Sequence, residues 1–306
     1  MTSWRRRAIE QGQQLSTDQS DATSQQLPGD NAVPAAPEEA EGFFRPDGDL
    51  LVPASFSTSP WGPMLHGRLI GGLAARAAKQ VIADTPGLVC SRLTVDMFRS
   101  APLAPVSVTA RPVRSGRRIT VLDVMIEQAD GPIGAARIVL LRASEQPAGT
   151  QRAAPVWDAP IPVKDKPPRA GNAQWTPAWQ SWRISGADWS PADGVWVRET
   201  HPLVTDEPLT PLERLSMAAD MVSPVSNFSD RGLAFINADY TIYLGREPQG
   251  EYIGIQPGGH VSDRGIAAGQ CVLHDLQGPV GFVSTTALAN PPLRPRPAPA
   301  DPDGEG

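Results

Sequence analysis

Residues 210–246 read TPLERLSMAADMVSPVSNFSDRGLAFINADYTIYLGR, a helix signal followed by a strand signal. Thr210 is a hydroxyl N-cap, Pro211 suits the first helical position, and Glu213 completes a capping box. Leu212, Leu215, Ala219 and Val222 keep a three-to-four residue apolar spacing, so one helix face is buried. Pro224 is expected to close the helix. Asp220 falls in the last turn, one residue from the apolar face, where a carboxylate opposes the helix dipole. The bland reading is a surface acid at a fraying end. The sharper one is a general base at the rim of a hydrophobic pocket.

Working outward, the strand ends at Arg246, and an internal repeat sets the architecture. Gly131-Pro132-Ile133-Gly134 recurs as Gly278-Pro279-Val280-Gly281, an offset of 147 that also carries Arg99 onto Arg246. A second helix, expected from Met64 to Ala83, has Leu65, Leu69, Leu73, Ala77 and Val81 at four-residue steps. Its small residues, Gly67, Gly71, Gly72, Ala74 and Ala75, permit a close approach. Strand-like runs follow at 88–98, 105–115, 118–128 and 133–142, and in the later half near 195–200, 251–256, 265–274 and 279–288. The chain therefore reads as one strand–helix–four-strand unit used twice, its two sheets pairing into one. At that offset Asp220 falls on Leu73, Asn237 on Cys90 and Asp239 on Arg92. Folding needs both cores but chemistry needs one site, so this asymmetry favours a functional role for Asp220 and Asn237.

Around this core, residues 1–40 are Gln-, Ser-, Asp- and Pro-rich and read as a disordered extension. Residues 41–145 and 194–290 form the two units, with a first strand at 43–52 turning at Asp47-Gly48. Residues 146–193 are a Pro- and Trp-rich linker whose aromatics cover apolar surface, a ligand lid being the lesser reading. Residues 291–306 are a loose tail. The net charge of −6 offers no basic patch for nucleic acid, and no run of 18 apolar residues spans a membrane. No apolar segment follows Arg5, Arg6 and Arg7, which argues against a secretory signal. Cys90 and Cys271 form no disulfide framework; reduced, buried thiols in the cytoplasm fit them.

The phrases LHGRLIGGLAARAAK, LTPLERLSMAAD, FINADYTIYLGREPQGEYIGI and LHDLQGPVG together resemble the double-hotdog acyl-CoA thioesterases of the type II class, nearest to thioesterase-like proteins of actinobacteria. The resemblance spans about 43–145 and 194–290. It implies an α+β double hotdog: two units, each a long helix on an antiparallel sheet, in one continuous sheet. In that family an Asp at the helix end, a Thr on the next strand and a Gln on the last strand hold the attacking water. Here the Asp is Asp220, the Thr position is Asn237, and the Gln falls on Thr285 or Thr286. His66, Gly67, Gly71, Asp239 and Thr241 are the expected substrate-binding residues. Asp239 and Thr241 share the parity of Asn237, so all three are expected on one face, either in the site or as a cross-strand polar patch.

Hydrolysis of a thioester requires a positioned water, a base, and donors for the oxyanion. Asp220 suits the base, Asn237 the water, and main-chain N–H groups at a helix start the oxyanion. Other chemistries fit poorly. The four histidines, His66, His201, His260 and His274, lack metal-ligand spacing, and no Gly-x-Ser-x-Gly elbow or phosphate-binding glycine loop is present. The expectation is a thioester hydrolase of lipid metabolism that needs no cofactor or metal and takes an acyl-CoA. Open sheet edges suggest a homodimer or higher oligomer. The alternative is a non-catalytic acyl-CoA-binding or structural hotdog protein, motivated by the absent Gln; a carrier-protein thioester is a third substrate class.

Overall fold

The computed structural model describes residues 41–154, 157–159, 177–184, 194–229 and 231–293. The readings made for residues 1–40, for most of the linker and for residues 294–306 lie outside them. The first half opens with two hairpins, β1 (Phe44–Asp47) with β2 (Leu50–Pro53) and β3 (Thr58–Ser59) with β4 (Gly62–Leu65). Helix α1 (Gly67–Asp84) leads to β5 (Leu88–Met97), β6 (Ser107–Ser115), β7 (Ile119–Gln128) and β8 (Gly131–Arg142). Next come β9 (Trp179–Arg183), β10 (Val195–Glu199), α2 (Pro211–Ala219) and α3 (Val222–Ser226). The second half closes with β11 (Phe228–Ser229), β12 (Gly232–Asn237), β13 (Asp239–Leu244), β14 (Tyr252–Asp263), β15 (Ile266–Asp275) and β16 (Gly278–Leu293).

One antiparallel sheet runs in the order β6-β7-β8-β5-β13-β16-β15-β14-β10-β9. Read outward from the β5–β13 seam, both halves give the same succession, and adding 147 to both ends of β7 (119–128) gives both ends of β15 (266–275). At the seam Thr94 pairs with Thr241, its own repeat mate, and their hydroxyls meet at 3.2 Å. The local twofold of the duplication therefore passes through that pair.

The repeated turn has a physical cause. Gly131 and Gly278 adopt φ of 115° and 122°, a region that L side chains avoid. Arg99 Nε donates to the Pro132 carbonyl at 3.3 Å, and Arg246 Nε to the Pro279 carbonyl at 3.2 Å. Gly281 lets the Tyr243 carbonyl pass within 1.9 Å of where a Cβ would stand.

Helix α1 buries Leu69, Ile70, Leu73, Ala74 and Ala78 in one core with Leu93, Val95, Leu122, Ile126 and Ile138 from the sheet. Its glycines admit specific neighbours: Met217 lies over Gly72, and the Tyr240 hydroxyl and Ser216 lie over Gly71. The Thr210–Glu213 capping box is present, with Glu213 N donating to Thr210 Oγ1 at 3.2 Å and Thr210 N to Glu213 Oε2 at 2.6 Å.

Three expectations need correcting. The second-half helix is not one long element closed by Pro224. It is a nine-residue α2 and a five-residue α3, with Pro224 inside α3. A proline cannot donate to the carbonyl four residues back and its ring crowds that group, so the break falls at Asp220–Met221, one turn before the proline. The linker is not uniformly irregular either, because β9 pairs along β10 and extends the sheet. Finally, the face shared by Asn237, Asp239 and Thr241 does not exist. Asn237 pairs with Ala287 whereas Thr241 pairs with Ser284, so four steps on one strand match three on the other. The extra residue is a bulge at Ala238, and a bulge reverses side-chain parity beyond it.

Candidate active site

The bulge delivers Asn237 to the helix side of the sheet, where α2 ends. Asn237 Nδ2 donates to Asp220 Oδ1 at 2.9 Å. Asp220 is buried, at 9% exposure, and caps α2. Burial drives its carboxyl above the ordinary carboxylate range; the Asn237 hydrogen bond and the Arg68 charge draw it back part of the way. A carboxyl raised in this manner is a stronger base in its ionised form.

The start of α1 faces this carboxylate. His66 is the N-cap, and its Nδ1 accepts from Arg68 N at 3.3 Å, which puts the ring proton on Nε2. Its Nδ1 lies 3.7 Å from Asp220 Oδ2. That spacing would be an ion pair with a charged imidazole, but burial, then Arg68, push the His66 pKa down to about 3. The contact is therefore between a neutral ring and a carboxylate. Gly67 opens the helix with its face towards the acid: a Cβ there would stand 3.7 Å from Asp220 Oδ1 and 2.8 Å from Met97 Sδ. The first N–H groups of a helix have no intrahelical acceptor, so the Gly67 main chain presents a donor here.

The remaining expected residues divide. Gly71 offers no room to a ligand, because a Cβ there would stand 1.5 Å from the Tyr240 hydroxyl. Tyr240 donates to the Ser216 carbonyl at 3.0 Å, and burial, reinforced by Asp220, raises its phenol. Thr285 is buried, shares its face of β16 with the buried Val283 and Ala287, and donates to the Asp239 carbonyl at 2.7 Å. Thr286 lies on the opposite face, where its N–H and hydroxyl bond the Asp239 carboxylate at 2.8 and 2.5 Å. Thr241 is on that opposite face with Thr94. Asp220, Asn237, His66 and Gly67 thus come together, with Thr285 on their side of the sheet; Thr286, Asp239 and Thr241 do not. The outer face has its own concavity of about 720 Å³, lined by Arg92, Asp96, Arg111, Asp123 and Arg137, with the sheet between it and Asp220.

Residues that the sequence reading passed over complete the surroundings. Arg68 is 2% exposed, bonds Glu199, and lies 3.9 Å over the Trp179 ring. Trp179 also meets the His66 ring edge-on at 5.3 Å. A charged residue placed directly ahead of the small and apolar run Leu69–Ala75 was the available signal. Among the described residues no group of His, Cys, Asp and Glu is placed to hold a metal ion. Burial pushes the Cys90 and Cys271 thiols up to about 12, so neither is a nucleophile at neutral pH.

Comparison with known proteins bears on the fold and the family. Residues 57–143 match the family model for the acyl-CoA thioesterase N-terminal domain, and residues 158–288 match that for the C-terminal domain. No curated protein sequence matches. Among solved structures, the tesB protein of Mycobacterium avium subs paratuberculosis is similar at 16% identity and TM-score 0.55, covering 81% of this chain and 96% of its own. The acyl-CoA thioesterase II TesB2 of Mycobacterium marinum is similar at 17% identity and TM-score 0.54, covering 74% and 91%. A hot dog fold protein of unknown function from Alicyclobacillus acidocaldarius is similar at 18% identity and TM-score 0.57, covering 82% and 96%. At such identities the likeness establishes the hotdog-type fold. The family models, matched in tandem across both halves of the repeat, go further: this chain belongs to the acyl-CoA thioesterase family.

Proposed function

We propose that the protein hydrolyses a fatty or related acyl-CoA to free acid and CoA, with Asp220 as general base. The observation that carries this is the buried Asp220–Asn237 pair facing the glycine that opens α1. A water held between the Asp220 carboxylate and the Asn237 amide oxygen gives its proton to Asp220 as its oxygen adds to the thioester carbonyl. The Gly67 N–H receives the developing oxyanion. Collapse of the tetrahedral adduct breaks the C–S bond, and the proton on Asp220 leaves with the thiolate. His66, neutral, lines the site without acting as the base.

The experiment is release of free CoA from a panel of acyl-CoAs of increasing chain length, compared between wild type and Asp220→Ala. Loss of activity in the variant by about 10²–10⁴-fold is expected for removal of a general base. Background rates from both proteins would overturn the proposal. One observation favours the second reading: Thr285 bonds the main-chain carbonyls of Asp239 and Thr286 and does not extend an amide towards the pair. Tight acyl-CoA binding without turnover would identify a non-catalytic binding protein. Self-association through the sheet edges, in the cytoplasm, belongs to the same proposal, and sedimentation equilibrium checks the oligomer.

A further inference from the structure

A buried ion pair joins the two halves of the chain beside the proposed base. Arg68 is the second residue of α1, and Glu199 the last of β10; their side chains are 2% and 0% exposed. Arg68 Nη2 donates to Glu199 Oε1, Nε donates to the Met217 carbonyl at 3.4 Å, and the guanidinium stacks on Trp179. Arg68 Nη1 and Glu199 Oε2 have no hydrogen-bond partner among the described residues.

Stability does not account for this arrangement. Removing two charges from water is costly, and an apolar pair of similar size often serves as well or better. Location does account for it. Met217 lies one helical turn before Asp220, and Gly67 directly precedes Arg68, so one side chain ties the start of α1 to the last turn of α2, the two helix ends that frame the site. At the 147 offset its repeat mate is Leu215, so this polar group, like Asp220, exists in one half only.

We propose that Arg68, clamped by Glu199 and Trp179, is the positioning residue of this site: it sets the spacing between the Gly67 main chain and the Asp220 carboxylate and places its positive charge beside that spacing. The inference rests on the reading of Asp220 as general base.

Two groups around Asp220 favour its ionised form against burial, Asn237 through a hydrogen bond and Arg68 through its charge. His66 before α1 is neutral, Asn237 on β12 donates one hydrogen bond, and Tyr240 on β13 is a neutral phenol bonded to Ser216. Glu199 on β10 has its carboxyl raised by burial and drawn back by Arg68. Arg68 is the positive charge that acts on Asp220, opposing burial. Without it the acid would take its proton at higher pH and fail as a base.

The test compares wild type with Arg68→Gln, Arg68→Lys and the double variant Arg68→Leu/Glu199→Leu, which leaves no lone charge in the core. Two readouts are taken: the pH profile of acyl-CoA hydrolysis, and the titration midpoint of the Asp220 carboxyl carbon by ¹³C NMR, assigned with Asp220→Asn. In Arg68→Gln and the double variant both the acid limb and the midpoint should rise by about one unit or more. Their kcat should fall on the order of a hundredfold, with KM changing far less. Arg68→Lys should keep the midpoint near wild type but lower kcat, because the stack and the fork are lost. A folded variant lacking the charge with wild-type midpoint, limb and kcat would overturn the proposal. Should Arg68→Gln fail to fold, the double variant decides. If wild type hydrolyses nothing while the midpoint still shifts, the thioesterase reading fails and the electrostatic role stands.

Discussion

Asp220 carries opposing demands in one side chain. Its burial raises the carboxyl pKa, so the folded protein binds that proton more tightly than the unfolded chain does. The associated stability is present in full below the ordinary carboxylate pKa and is lost as pH rises through the raised value. Asp220→Asn keeps an acceptor for Asn237 and removes the buried charge. It should therefore raise Tm at neutral pH while abolishing hydrolysis, and the gain in Tm should vanish below about pH 4. Thermal unfolding across pH checks it. Gly67 belongs to the same scale. Gly67→Ala adds a methyl 3.7 Å from Asp220 Oδ1 and 2.8 Å from Met97 Sδ. Met97 is flexible enough to yield, so the fold should persist while the water and carbonyl lose their place; kcat/KM should drop with Tm little changed.

At the scale of elements, closeness of α1 to its neighbours is the controlling feature. A Cβ on Gly71 would stand 1.5 Å from the Tyr240 hydroxyl and 2.8 Å from Ser216 Oγ, both in the packed interior. Gly71→Ala should destabilise by about 1–3 kcal/mol, the usual range for overpacking. Combining it with Tyr240→Phe, which deletes the clashing oxygen, should recover part of that loss. Chemical denaturation of the two single variants and the double would show the coupling; strict additivity would contradict the contact. The helix break before Pro224 and the bulge at Ala238 act together. One stops α2 at Asp220, and the other turns Asn237 towards it.

For the whole molecule, the seam matters most. β5 pairs with β13 along Thr94–Thr241, and α1 packs its small-residue face on α2 through Gly72 and Met217. Neither half has a closed core without the other. Residues 41–145 expressed alone expose the β5 edge and the apolar face of α1, and should self-associate or aggregate instead of remaining monomeric. Size-exclusion chromatography of that fragment beside the full chain tests this; a stable monomer would contradict it. No described helix is long and apolar enough to cross a membrane.

The sequence by itself determined the duplication, because glycines at positive φ and arginines on prolyl carbonyls are local needs that leave the same letters in both halves. Strand and helix positions were legible for the same reason, as was Asp220 through its placement against a helix dipole. Tertiary structure alone decided which polar residues meet. Parity along 237–241 is readable only if the strand is regular, and the bulge at Ala238 is forced by pairing with β16, not by any letter in the strand. The choice between Thr285 and Thr286 follows from the same register. Arg68 and Glu199 stand 131 residues apart in the chain, and they meet only because the fold brings the start of α1 to the end of β10. Long-range contacts of that kind leave no periodicity for a sequence to display.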